Sequence, residues 1–114
     1  MTAIVFMSFK KEAAENSVYP RYSLIMNKDQ FLQELFQLGY PEPVEVTQPP
    51  SGHLDNHTHP FAVRALVVDG YIEIESNNGS IKYQAGDMFE LAYEQPHSET
   101  YGPAGVKYLA SRKQ

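Results

Sequence analysis

After Pro43 the chain is cut at close intervals by Pro, Gly and Asn into short runs of strand character: "VEVTQ", "AVRALVV", "YIEIE", "SIKYQ", "DMFELAY", "SETY" and "VKYLAS". The clearest piece is "YIEIESNNGSIKYQ", where Ile72 and Ile74 alternate with Glu73 and Glu75, giving a strand one apolar and one charged face. Asn78-Gly79 supplies residues that accept the positive φ angles of a tight hairpin. So many short strands predict an all-β fold, a sandwich or a small antiparallel β-barrel.

One helix precedes them. Asn27 and Gln30 form a capping-box pair, and Phe31, Leu32, Leu35, Phe36 and Leu38 recur at helical spacing before Gly39 and Pro41 stop the run. The expectation is an α-helix at about residues 28–38, packed outside the strands through Phe31, Leu35 and Leu38. Residues 27–114 then form a single barrel domain with a leading helix. Residues 1–26 read as an extension whose apolar "AIVFMSF" has no obvious partner in the second half, so we expect it to pair as an exchanged strand in a homodimer.

Nine basic against fourteen acidic residues give a net charge of −5, and the basic ones are scattered, which argues against nucleic acid as a partner. The N-terminal apolar run lacks a basic lead and falls far below the roughly 20 apolar residues of a membrane span, so no membrane partner is expected. The chain has no cysteine, which suits a reducing, cytoplasmic location and leaves any metal to His and carboxylate ligands.

Two of the four histidines, His57 and His59, stand one residue apart at the mouth of the run ending at Gly70. On a strand, residues i and i+2 share a face, so both imidazoles can point at one spot. His53 lies four residues before His57 and reads as a surface residue, because Gly52 interrupts the strand pattern. Regular alternation turns Val63 inward and Arg64 outward to solvent, whereas a bulge would turn Arg64 inward. Phe61, Tyr83 and Phe89 read as core.

"HTHPFAVRALVVDG" followed by a hairpin and "GDMFELAYEQPHSE" resembles the two motifs of the cupin superfamily, and "HTHPF" with "PHSETYGP" is similar to small single-domain cupins of the conserved-barrel type. His57, His59 and Gly70 fit the first motif; counting eleven on from Gly86 gives His97, which fits the second. The resemblance covers about residues 44–111 and implies a barrel binding a divalent metal (Zn, Fe, Ni, Mn or Cu) through His57, His59 and His97. The chain departs from the family pattern at the first motif's glutamate, whose place falls on Val63 or Arg64, and in the second motif, where Ala92, Glu94 and Tyr101 replace proline, glycine and asparagine. Glu99, two residues beyond His97, either shares its inward face and replaces the missing glutamate or turns to solvent where the strand ends. Inside, it would be a ligand or a catalytic acid or base, with Tyr101 further along the same face.

The resemblance leaves two functions open. One is a metal-dependent enzyme with dioxygenase- or isomerase-like chemistry on a small anionic metabolite. The other is a non-catalytic module for a small ligand or metal, like the effector-binding cupin half of some regulators.

Overall fold

The computed structural model describes residues 25–114. Its elements are α1 (Lys28–Gln37), β1 (Val44–Gln48), β2 (His53–His57), β3 (Ala62–Ser76), β4 (Gly79–Gln84), β5 (Met88–Leu91) and β6 (His97–Lys113). The strands form one six-stranded sheet in the order β1-β6-β3-β4, with β2 added to β6 and β5 to β3, all pairs antiparallel.

Two long strands organise the sheet. The segments "AVRALVV" and "YIEIE" are one strand, β3, and "SETY" and "VKYLAS" are one strand, β6; the glycines between them mark corners and do not end the strands. Gly70 (φ +72°) faces Gly105 (φ +79°), and a Cβ on Gly70 would run into the Gly105 carbonyl oxygen. The β3–β6 register slips on either side of Gly70. This bulge changes the parity of burial: Val63, Ala65 and Val67 are buried before it, Ile72 and Ile74 after it. Along β6 the buried set likewise passes from His97, Glu99 and Tyr101 to Val106, Tyr108 and Ala110. The sheet thus folds across itself so that both halves face one core, in which Val63, Ile72, Phe89, Tyr101 and Tyr108 belong to a single cluster. The result is a jelly-roll-like barrel whose backbone ladder, among the described residues, is left open.

In the β3–β4 hairpin, Ser76 pairs with Gly79 around Asn77 and Asn78. Positive φ falls on Gly79 alone (+100°) and not on Asn78, the arrangement of a turn closed by a glycine bulge.

Helix α1 opens with the expected capping box: the Asn27 side chain accepts from the Gln30 N–H at 2.8 Å, and the Gln30 side chain accepts from the Asn27 N–H at 3.0 Å. Phe31 and Leu35 are buried against Leu66 and Leu109 on the outer face of β3 and β6. Each contributes about 2–3 kcal/mol by leaving water. Leu38 does not join them, because the helix ends at Gln37 and Leu38, its C-cap, is 43% exposed. The strand expected in the N-terminal extension lies outside the described residues.

Candidate metal centre

The histidines meet where β2 ends and β6 begins. His57, the last residue of β2, pairs with His97, the first of β6, beyond a slip in register after Leu54. His59 lies two residues past the strand, so a loop and not strand alternation turns it to the same place as His57. Two contacts hold that loop: the Glu94 N–H donates to the His59 carbonyl at 2.8 Å, and the Phe61 ring stacks on the imidazole at 5.0 Å with an interplanar angle of 6°. Glu94 has φ +57°, so the left-handed conformation survives where the second motif would have its glycine.

Glu99 is inside. It is 6% exposed and, two residues after His97, shares its inward face. Its Oε2 lies 2.9 Å from His97 Nε2 and 3.5 Å from His57 Nε2. His57, His59, His97 and Glu99 each offer a ligand atom, and these atoms all lie within 4.8 Å of one another. The three ring centroids are separated by 4.3, 4.9 and 5.1 Å.

Backbone carbonyls fix two of the rings. His57 Nδ1 is 2.7 Å from the Asp55 carbonyl and His97 Nδ1 is 2.9 Å from the Gln95 carbonyl. A carbonyl can only accept, so each Nδ1 carries a proton and donates, and Nε2 of each ring is turned into the cluster, that of His97 onto Glu99 Oε2. His57 Nε2 is buried without a hydrogen-bond partner. Burial above all, followed by the nearby His97 and His57, lowers the pKa of His59, which favours the neutral ring that a metal ligand requires. A divalent transition metal fits this set: His57 Nε2, buried and unpartnered, beside two further imidazoles and one carboxylate.

Tyr101 is buried, and its hydroxyl donates to Glu99 Oε1 at 2.9 Å. Burial, and then the Glu99 charge, pushes the phenol pKa up, so Tyr101 stays protonated. It holds Glu99 with Oε2 toward the histidines and lies outside the cavity lining. His53 is outside the cluster, with its side chain half exposed and hydrogen-bonded to Thr100 and Asp55. Arg64 does face out of the barrel, but solvent is not its destination. Its side chain is 13% exposed and paired with Glu34 of α1 and Glu90 of β5.

Beside the histidines is a cavity of about 140 Å³ between the two halves of the sheet, well below the roughly 300–1,000 Å³ of drug-sized sites. Val46, Phe61, Val63, Phe89 and Leu91 supply its apolar wall, and Gln48, His59, Glu99, Tyr108 and Arg112 its polar groups. The sequence reading missed Arg112. Carrying the alternation Val106, Tyr108, Ala110 two residues further would have found it.

By sequence, no family model and no curated protein matches the chain. By structure it is similar to the cupin domain of Schizosaccharomyces pombe Cnp3, at 12% identity and TM-score 0.57 over 66% of this chain and 59% of that one. It is also similar to an RmlC-like cupin from Shewanella frigidimarina (17%, 0.54, over 63% and 65%) and to KdgF from a Halomonas species (19%, 0.53, over 63% and 68%). The chain spans about two thirds of these neighbours' length or less. With its antiparallel strands and, among the described residues, one short helix, it has the cupin fold. No described helix is long and apolar enough to cross a membrane.

Proposed function

We propose that this chain is a small metal-binding cupin that holds a divalent transition ion through Nε2 of His57 and His97, an imidazole nitrogen of His59 and a carboxylate oxygen of Glu99. It acts on or binds a small anionic metabolite beside the ion. The observation that carries this is His57 Nε2, buried and without a hydrogen bond while its Nδ1 is committed to the Asp55 carbonyl. A lone pair desolvated in this way costs about 1–3 kcal/mol unless something accepts it, and a cation does. Glu99 then takes the role of the glutamate that the first motif lacks. When bound, the ion supplies Lewis-acid chemistry, while Tyr101 keeps Glu99 aimed and Phe61 keeps His59 in place.

A non-catalytic receptor is the second reading. Glu99 supports it, because with that carboxylate engaged as a ligand the cavity has, among the described residues, no other carboxylate to move a proton.

Metal content of the full chain, purified without an affinity tag, tests the proposal. The wild type should carry one ion per chain, and His57→Ala, His59→Ala and His97→Ala should each lose most of it, with an affinity loss of about 100-fold or more, exceeding the 10–100-fold typical of residues behind the ligands. Stoichiometric metal in all three variants would refute it. Glu99→Gln assigns the carboxylate: lost metal makes it a ligand, and retained metal with lost turnover makes it the acid or base.

A further inference from the structure

We infer that Arg112 is the specificity-determining residue of the cavity, and that the ligand it selects is a small carboxylate with a short apolar body, its charged end held by the guanidinium. The inference deepens the metal reading above and rests on it for the other cationic group of the cavity.

Strand parity carries the argument. In the C-terminal half of β6, Val106, Tyr108 and Ala110 point into the core, and Arg112 is the next residue on that face. It pairs with Val63 of β3, itself an inward residue, and its guanidinium lies over the Phe61 ring, 4.8 Å from the centroid. The same Phe61 ring stacks on His59, so one aromatic side chain orients both the cavity's arginine and one of its imidazoles. Lys107 and Lys113, on the opposite face of the strand, are taken up elsewhere, by Glu45 and by the Leu38 carbonyl. Among the described residues Arg112 forms no ion pair, although the chain as a whole is acidic.

The chemistry of the ligand follows. With a divalent ion in place, Glu99 offsets only half of its charge, and the cavity presents a cationic centre and a guanidinium on an apolar wall. Arg112 stays exposed at the cavity rim with its charge hydrated, so an anion is attracted by the two positive groups and not required by them. The planar fork of a single arginine matches a carboxylate with two parallel N–H donations, whereas a phosphate dianion calls for more donors than this wall supplies. A cavity of about 140 Å³ limits the rest of the molecule to a short hydrocarbon body against Val63, Phe89 and Leu91.

The test is calorimetric titration of the metal-bearing full chain with 3-methylbutanoate, with its neutral isostere 3-methylbutanamide and with inorganic phosphate. The wild type should bind the carboxylate at least tenfold more tightly than either of the others. Arg112→Ala should lose at least tenfold in carboxylate affinity while keeping its metal content and melting temperature, and Arg112→Lys should recover part of the loss. Equal binding of carboxylate and amide, tighter binding of phosphate, absence of carboxylate binding, or an unchanged Arg112→Ala would each overturn the inference. A chain that holds no metal yet binds the carboxylate through Arg112 would support the inference and defeat the metal reading instead.

Discussion

The two faces of the β3–β6 ladder each carry an arginine near the same end of the sheet, and the two are used in opposite ways. On the outer face Arg64 is shut under α1, its guanidinium 3.3 Å from Glu34 and in contact with Glu90, with the Tyr40 ring 5.9 Å away. On the inner face Arg112 borders a cavity whose only carboxylate, among the described residues, belongs to the histidine cluster. Residue type does not distinguish them. A change of parity along a strand does, because it assigns one guanidinium to carboxylates of the fold and leaves the other facing the cavity. The outer face therefore closes its arginine with carboxylates of the fold, and the inner face leaves its arginine at the cavity.

The sharpest way to break this division is on the outer face. Leu35→Ala removes a fully packed helix residue and should destabilise the fold by about 3 kcal/mol, while metal affinity stays within twofold of the wild type. Chemical denaturation alongside metal titration measures both, and a parallel loss of metal would mean that the faces are coupled. Arg64→Ala comes next. It leaves Glu34 and Glu90 without their cation in a site between surface and core, for a cost of about 2 kcal/mol, again with metal retained; a melting temperature equal to the wild type would place Arg64 among ordinary surface residues.

The smallest effect is on the inner face and depends on pH. Folded His59 titrates below its ordinary value of 6.5. As the pH falls through 6.5, the unfolded chain takes up a proton that the folded chain refuses, so stability is lost toward acid and no such loss arises above. The partial exposure of His59 screens the effect and keeps it small. Melting curves of the metal-free chain should therefore show a smaller drop between pH 7.5 and pH 5.5 for His59→Gln than for the wild type, and identical drops would contradict the assignment.

Much of this was legible in the sequence, for reasons that differ by element. The capping box fixed the start of α1 because both partners lie within one turn. The hairpin after Gly70 was legible because its alternation is local. Gly70 and Gly105 misled where the runs beside them read as separate strands, since Gly70 is closed in by the Gly105 carbonyl and Gly105 by that of Gln48, contacts no local pattern contains. The polar "HLDNH" of β2 carried no apolar alternation, since four of its five residues stay exposed and pairing with β6 is what makes it a strand. Glu99 was undecidable because its placement depends on whether β6 begins at His97 and runs on past it, and β6 does both. Leu38 was over-read, since spacing continues across a helix terminus that the backbone does not.

The strand β6 is the common partner of β1, β2 and β3, and Val44 pairs with Ala110 while Ala62 pairs with Lys113. Of the ladders in the sheet, the β3–β4 hairpin is the most local, and every ladder to β6 must close a long loop before it gains any contact. His97 and Glu99 ride on that strand, and His57 ends β2, whose only ladder, among the described residues, is with β6. In kinetic terms, the ligand set is completed in one step, when β6 docks, and metal capture during refolding should coincide with the change in the tyrosine signal of Tyr101 and Tyr108 rather than precede it.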